Sequence, residues 1–158
     1  FIMAVEIEHK YLVVNDSFRD MACESHAIAQ GYLCRKAECT ARVRVWDDKG
    51  YITVTGMSAN ASRAEYEYEI PVEDARQMLQ SLCEATLSKV RHIVWHAGNK
   101  WEIDEFQGPL AGFVMAEIEI PSPGYDYSLP PFVGKNVTSD PRYYNSNLVT
   151  LSAPPADD

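Results

Sequence analysis

The chain has 158 residues, of which 46% are hydrophobic and 23% charged, and its formal net charge at pH 7 is −9. This composition is ordinary for a globular protein, and the length favours one domain with its own core. The acidic balance argues against general binding to nucleic acid or to an anionic membrane, because both require a basic surface. No apolar run approaches the roughly 20 residues that a membrane-spanning helix needs.

The N-terminus and the cysteines bear on the cellular compartment. Residues 1–2 precede Met3, so we expect them to be a cloning remnant or an upstream start. No basic segment precedes an apolar one, as a signal peptide would require. No spacing typical of a zinc site relates the cysteines, which are Cys23, Cys34, Cys39 and Cys83. We therefore expect reduced thiols and a cytoplasmic protein.

Alternating hydrophobicity in the first half of the chain predicts β-strands. The predicted strands span residues 5–14, 40–46, 51–55 and 64–70, and a further extended segment covers residues 30–33. A short helical piece is predicted between residues 17 and 29. Residues 47–50 read Asp-Asp-Lys-Gly, which predicts a hairpin turn, and residues 56–62 predict a polar loop.

The second half opens with the clearest helix pattern, because Pro71 is followed by acidic residues. This helix is predicted to end near Leu87, with an inner face of Ala75, Met78, Leu79, Leu82 and Thr86. Further strands are predicted at 89–96, 101–106 and 114–120, with a turn at 97–100. The tail from 125 predicts loops and a short helix, and its last residues, 151–158, are expected to be flexible. Together the strands predict a closed or nearly closed antiparallel barrel.

Charged residues recur at positions i and i+2 along six of the predicted strands. Side chains alternate between the two faces of a strand, so each doublet shares one face. The doublets are Glu6/Glu8 with Lys10, Arg42/Arg44, Glu65/Glu67 with Glu69, Lys89/Arg91, Glu102/Asp104 and Glu117/Glu119. A solvent-facing strand explains any single doublet. Because the signs segregate by strand, the set favours a water-filled interior that holds Mg²⁺ or Mn²⁺ and phosphoryl groups.

These doublets occur in an order that resembles the CYTH family, also called triphosphate tunnel metalloenzymes. The order is ExExK at residues 6–10, RxR at 42–44, ExE at 65–67, KxR at 89–91 and a final ExE at 117–119. The resemblance runs from Val5 to about Leu148 and includes Gln30-Gly31-Tyr32. It implies a mainly β, α+β fold: an eight-stranded antiparallel closed β-barrel, or tunnel, with flanking helices, forming a single domain over residues 3–150.

The resemblance also implies roles for individual residues. The acidic residues that would hold divalent metal are Glu6, Glu8, Glu65, Glu67, Asp104, Glu117 and Glu119. The basic residues that would bind the substrate phosphates are Lys10, Arg42, Arg44, Lys89 and Arg91. Within these sets, the implied catalytic residues are Glu6, Glu8, Lys10 and Lys89.

Three functions are open at this point. The first is metal-dependent hydrolysis of inorganic triphosphate or a related compound, which bacterial members of this size often perform. The second is a class IV adenylyl cyclase, although no residue set clearly builds an adenine pocket. The third is a noncatalytic polyphosphate or nucleotide binder, against which the many carboxylates argue. The implied partner is a small-molecule triphosphate (tripolyphosphate, ATP or thiamine triphosphate), and a homodimer is possible.

One position departs from the family pattern. The stretch Thr53-Val54-Thr55-Gly56 carries Thr55 where the family usually has a lysine. A hydrogen bond to a charged group contributes roughly 1.5–3 kcal/mol. We therefore expect binding or turnover to be lower by roughly 10- to 100-fold than with the lysine.

Overall fold

The computed structural model describes residues 5–57 and 63–156, and at residues 5, 6, 57 and 63 it describes the backbone alone. The predicted remnant at residues 1–2, the part of the polar loop at 58–62 and the last two tail residues lie outside the described residues.

Within the described residues the chain forms ten strands and three α-helices. The strands are β1 (Val5–Glu6), β2 (Glu8–Val13), β3 (Glu24–Arg35), β4 (Cys39–Trp46), β5 (Lys49–Met57), β6 (Arg63–Ile70), β7 (Thr86–His96), β8 (Asn99–Phe106), β9 (Val114–Glu119) and β10 (Val133–Asn136). The helices are α1 (Phe18–Met21), α2 (Val72–Ser81) and α3 (Asn145–Leu148), with 3-10 turns at Gly108–Leu110 and Pro141–Tyr143. The predicted mainly β, α+β class is confirmed. None of these helices is long and apolar enough to cross a membrane.

The strand count differs from the predicted eight for two reasons. The predicted strand 5–14 is divided at Ile7, since β1 pairs with β6 whereas β2 pairs with β9. The tail contributes β10, which pairs with the outer side of β2 and which the sequence pattern did not indicate. All of these pairings are antiparallel.

Both predicted hairpin turns are present and have a left-handed backbone at their centres. Asp47 has φ 53° in the β4–β5 turn, while Ala97 and Gly98 have φ 49° and 81° in the β7–β8 turn. Tight turns of this hand match the right-handed twist of the flanking strands. They therefore set the register in which the charged doublets face one another.

The chain divides into two compact units, which hold different strands. The first unit comprises residues 5–6 and 27–88, apart from the gap at 58–62, and the second comprises residues 7–26 and 89–156. In the first unit the strand order is β1, β6, β5, β4 and β3, and in the second it is β7, β8, β9, β2 and β10. A closed barrel is not established by the pairings within either unit.

Helix α2 covers the apolar face of the first unit. Its buried residue Ala75 packs with Val43 and Val45 of β4. Two glycines permit this close approach: a Cβ added at Gly31 would lie 2.9 Å from the side chain of Cys83, and one at Gly50 would lie 2.8 Å from the Cβ of Ala75. The apolar side chains are thus covered by the helix, which leaves the charged side chains on the other face of the sheet.

The predicted end of α2 near Leu87 is wrong, because the helix ends at Ser81. The amide groups of Leu82 and Cys83 both donate to the Met78 carbonyl, which closes the last turn. Leu82, predicted on the inner face, is 63% exposed. Thr86 instead begins β7, in keeping with the strand preference of a β-branched residue in an alternating segment. Met78 and Leu79 pack on the core as predicted.

The second unit has the larger apolar core. It is built on Trp101, Ile103 and Ile118 from β8 and β9, and it is covered by Phe18 of α1 and Phe132 of the tail. Each of these side chains is almost completely buried, and burying one large apolar side chain contributes about 1.5–3 kcal/mol. This core occupies one face of the sheet, and the charged doublets of β2, β7, β8 and β9 alternate onto the other.

Candidate functional site

The charged doublets of the second unit form one continuous face. Lys10 lies opposite Glu117, Glu8 lies opposite Glu119, and Glu117 lies opposite Glu102 on its other side. Directly opposed residues on neighbouring antiparallel strands share a face and lie within side-chain reach. We name this surface the second charged face, and its members are Glu8, Lys10, Lys89, Arg91, Glu102, Asp104, Glu117 and Glu119.

Lys10 joins two carboxylates on the second charged face. Its Nζ lies 3.3 Å from an oxygen of Glu8 and 3.3 Å from an oxygen of Glu117. Burial alone would lower the pKa of Lys10, but the charges of Glu117 and Glu8 outweigh it and raise the pKa, so the ammonium group stays charged. Burial raises the pKa of Glu117, with a further contribution from the nearby Glu8. Glu117 is therefore a carboxylate whose negative charge is incompletely compensated.

Asp104 is the buried centre of a second ion-pair group on the same face. Its oxygens accept from Arg91 Nε and Nη2 at 2.8 and 2.9 Å, and Lys89 Nζ lies 2.7 Å from Oδ2. Burial alone would raise the pKa of Asp104, but Arg91 and Lys89 outweigh it and hold the pKa well below its usual range. Arg91 also donates through Nη1 to Glu102 at 3.1 Å. Burial lowers the pKa of Lys89 despite the adjacent Asp104 carboxylate.

The first unit has a charged face of its own. The strand register places side chains of β4, β5 and β6 in three rows across the sheet. The rows are Arg44, Tyr51 and Glu69; Arg42, Thr53 and Glu67; and Thr40, Thr55 and Glu65. We name this surface the first charged face, and its members are Arg42, Arg44, Thr53, Thr55, Glu65, Glu67 and Glu69. The predicted doublets of β4 and β6 are thus brought onto one face.

Glu67 links side chains of β4, β5 and β6 on the first charged face by accepting two hydrogen bonds. Arg44 Nη2 donates to Glu67 Oε1 at 2.9 Å, and the Thr53 hydroxyl donates to the same oxygen at 2.9 Å. The Arg44 guanidinium also lies 5.2 Å from the Trp46 ring centroid. Thr55, which stands where the resemblance predicts a lysine, is 7% exposed and faces Glu65 across the β5–β6 pair.

The predicted metal ligands are divided between the two faces. Glu65 and Glu67 lie on the first, while Glu8, Asp104, Glu117 and Glu119 lie on the second; the side chain of Glu6 lies outside the described residues. Within residues 5–57 and 63–156, no three His, Cys, Asp or Glu side chains gather closely enough to hold a metal ion. The donor chemistry nevertheless fits a hard divalent cation, since all donors are carboxylate oxygens. The raised pKa of Glu117 is the property expected of a carboxylate that a cation would stabilise.

Two uncharged residues share the first charged face and were not predicted as site residues. Gln30 lies opposite Arg44, and Tyr32 lies opposite Arg42, on the neighbouring strand β3. Both side chains are buried. The search for charged doublets could not find them, although their alternation with Gly31 indicates that they share a face.

The chain is similar to known triphosphatases over nearly all of its length. It is 45% identical over 148 residues to an inorganic triphosphatase of Acetivibrio thermocellus, covering 93% of this chain and 94% of that protein. It is 30% identical over 153 residues to an inorganic triphosphatase of Nitrosomonas europaea, covering 94% of this chain and 99% of that protein.

The fold agrees with these relatives. A crystal structure of an inorganic triphosphatase matches with a TM-score of 0.70 at 27% identity, covering 94% of this chain and 97% of that one. No protein-family model matches the chain. The identity to the two sequence relatives and the coverage of both, together with the ordered charged doublets, show that this chain belongs to the CYTH family of triphosphate tunnel metalloenzymes.

Proposed function

We propose that this protein is a metal-dependent hydrolase that cleaves inorganic triphosphate into pyrophosphate and phosphate. The observation that carries the proposal is the 45% identity, over 93% of the chain, to an inorganic triphosphatase. The two charged faces supply the groups that such a reaction needs, namely cations for the phosphates and carboxylates for a metal. Tripolyphosphate is the proposed substrate, and ATP and thiamine triphosphate are the alternative substrates.

The basic residues bind the phosphates in this proposal. Arg42 and Arg44 present guanidinium groups on the first charged face, where planar N–H donors suit phosphoryl oxygens. On the second face, Lys10, Lys89 and Arg91 are held at fixed positions by their carboxylate partners. Cations that are already oriented stabilise the charge developing on the phosphoryl oxygens without reorganising during the reaction.

The carboxylates hold the metal in this proposal, with Glu6, Glu8, Glu65, Glu67, Asp104, Glu117 and Glu119 as ligands. A bound Mg²⁺ or Mn²⁺ would neutralise triphosphate charge and lower the pKa of the attacking water. Among those acids whose side chains the structure describes, Asp104 is the one whose two oxygens are already occupied by buried cations. Its first role is therefore to orient Lys89 and Arg91, whereas Glu8 and Glu117 have charge available for a metal.

The catalytic residues are proposed to be Glu6, Glu8, Lys10 and Lys89. The two glutamates position the water whose oxygen attacks the terminal phosphorus, and a carboxylate of the site accepts the proton that this water loses. The bond between that phosphorus and the bridging oxygen breaks, so pyrophosphate leaves and phosphate forms. Lys10 and Lys89 stabilise the negative charge on the transferred group and on the leaving oxygen.

The proposal extends to architecture and compartment. We propose the closed eight-stranded tunnel and the single domain at residues 3–150, and the near-complete coverage of both triphosphatase relatives supports them. A reducing, cytoplasmic environment is supported by Cys23, Cys34, Cys39 and Cys83, which are all free. A homodimer stays a prediction.

The proposal is tested by measuring phosphate release from tripolyphosphate, in Mg²⁺ and in Mn²⁺, with ATP supplied in parallel. The variant is Glu8→Gln, and the matched control is Glu73→Gln, because Glu73 is exposed on α2. We expect phosphate from tripolyphosphate with the wild type and the control, and none with Glu8→Gln. Cyclic AMP from ATP would establish the cyclase instead, and tight tripolyphosphate binding without turnover would establish a binder.

A further inference from the structure

Gln30 is a buried polar residue on the first unit with a free hydrogen-bond donor. Its side chain is 1% exposed, and its Nε2 has no hydrogen-bond partner in the part of the chain that the structure describes. A buried amide donor without a partner costs free energy, so native proteins seldom retain one unless it has a use. We propose that Gln30 donates this N–H group to a phosphoryl oxygen of the substrate and acts as a substrate-positioning residue. The inference rests on the proposed triphosphatase function.

The direction of the Gln30 side chain follows from its neighbour Gly31. The backbone at Gly31 approaches Cys83 so closely that an added Cβ would lie 2.9 Å from the cysteine side chain. That side of β3 is therefore covered by the C-terminal end of α2. Because side chains alternate along a strand, Gln30 lies on the opposite side, in register with Arg44. The amide is thus placed on the first charged face.

The neighbours of Gln30 indicate what kind of ligand would take its hydrogen bond. Arg44, which lies opposite Gln30, already donates to Glu67 Oε1, and the Thr53 hydroxyl donates to the same oxygen. Arg42, one row further along β4, also has a buried Nε without a hydrogen-bond partner among the described residues. Two unused N–H donors on adjacent strands suit a ligand rich in oxygen acceptors and negative charge. They do not suit a metal ion, which N–H groups cannot ligate.

A neutral amide would complement the arginines in a specific way. Arginine attracts the triphosphate through charge and donates in a planar fork, whereas Gln30 adds a donor without adding to the positive charge of the face. Its short side chain is confined by burial, so it can position one oxygen without losing much side-chain entropy on binding. We therefore expect Gln30 to affect substrate affinity and orientation more than the stability of the protein.

The test compares Gln30→Leu and Gln30→Glu with the wild type, and Gln77→Leu on the exposed side of α2 is the matched control. Tripolyphosphate affinity is measured by calorimetry in EDTA, hydrolysis is measured with Mg²⁺, and thermal unfolding is followed without ligand. For Gln30→Leu we expect affinity and kcat/KM to fall by roughly 10-fold, with an unchanged or higher Tm because an unpaired donor is removed. Gln30→Glu should bind more weakly still, because it adds a negative charge facing the phosphates.

The outcomes separate this inference from the proposed function. A Gln30→Leu protein with a clearly lower Tm and unchanged tripolyphosphate affinity would overturn the inference, because Gln30 would then be a structural residue. Wild-type affinity and kcat/KM in both Gln30 variants would overturn it too. If the wild type binds tripolyphosphate without hydrolysing it, the proposed function fails, and the calorimetric comparison still decides the role of Gln30.

Discussion

The two charged faces carry similar residues but differ in how their charges are compensated. On the second face, Lys10, Lys89 and Arg91 are buried and paired with carboxylates, and Asp104 has cations on both of its oxygens. On the first face the arginines are half-buried, and N–H groups of Arg42 and Gln30 have no hydrogen-bond partner among the described residues. Asp104 on the second face is thus compensated by cations before ligand arrives, whereas Glu8 and Glu117 share one lysine and the first face has N–H donors without a partner among the described residues.

This difference predicts a division of roles between the faces. Removing one partner of a buried ion pair leaves a charge that water cannot reach, so a change to Asp104, the buried centre of the ion pairs on the second face, should destabilise the fold. Removing a half-buried donor leaves no such charge, so changes on the first face should weaken substrate binding and leave the fold intact. Variants on each face test that division.

The largest effect is expected from Asp104→Asn on the second face. The substitution leaves Lys89 and Arg91 buried without their common carboxylate, and we expect the free energy of unfolding to fall by about 3–5 kcal/mol. Urea denaturation measures this change. Glu67→Gln on the first face is the matched comparison, and we expect it to cost less than about 1 kcal/mol because Glu67 is exposed. Equal losses in the two variants would contradict the division.

Arg44→Ala should lower the activity strongly and change the stability of the fold only slightly. Loss of the guanidinium removes a charged donor to the substrate, so we expect kcat/KM for tripolyphosphate to fall by about 100-fold, or about 2.7 kcal/mol. The free energy of unfolding should change by no more than about 1 kcal/mol. Steady-state kinetics and urea denaturation check the two expectations, with Arg76→Ala on α2 as the control. If the Arg44→Ala protein is inactive and also strongly destabilised, Arg44 has a structural role like that of Asp104, and the division of roles is wrong.

Thr55→Lys tests whether the first face lacks a cation. The new ammonium group would face Glu65 and supply the positive charge that the resemblance leads us to expect at this position. We expect kcat/KM for tripolyphosphate to rise by roughly 10- to 100-fold, corresponding to one charged hydrogen bond. Thr55→Met, which adds length without charge, is the control. A Lys variant no more active than the Met variant would mean that the face works without this cation.

The smallest effect concerns an ion pair outside both faces. Arg19 donates two hydrogen bonds to Glu105, at 3.0 and 2.8 Å, and they lower the pKa of Glu105 from 4.5 to about 2. The unfolded chain therefore takes up the proton first as pH falls, and the stabilisation is lost between pH 4.5 and about 2. We expect Arg19→Met to cost about 1 kcal/mol at neutral pH, since the pair is partly exposed. Urea denaturation across this pH range should show that Arg19→Met and the wild type differ less and less in free energy of unfolding as the pH falls.

Local patterns predicted much of the fold, and long-range packing accounts for the errors. The alternating strands and the turns at 47–50 and 97–100 are present because hydrophobic period and turn chemistry act locally. β10 was missed since its four residues gain strand structure only by pairing with β2. The end of α2 was placed too late because helical spacing continues to Leu82 and beyond, while closure at Met78 ends the helix earlier.

The candidate site was predicted as two sets of charges but not as specific pairs. The i, i+2 rule places Arg42 with Arg44 on one face, as the strand register requires. It does not indicate that Asp104 pairs with Lys89 and Arg91, because that contact depends on the β7–β8 register. Gln30 was missed as a site residue because it is uncharged, and only its burial without a partner for Nε2 draws attention to it.

Phosphorus NMR can follow directly whether this chain hydrolyses inorganic triphosphate. The wild-type protein is mixed with tripolyphosphate and Mg²⁺, and Glu8→Gln and a sample in EDTA are run beside it. We predict that the tripolyphosphate signals disappear while pyrophosphate and phosphate form in equal amounts, and that both comparison samples stay unchanged. Persistent tripolyphosphate signals with the folded wild-type protein and metal would contradict the proposed hydrolysis.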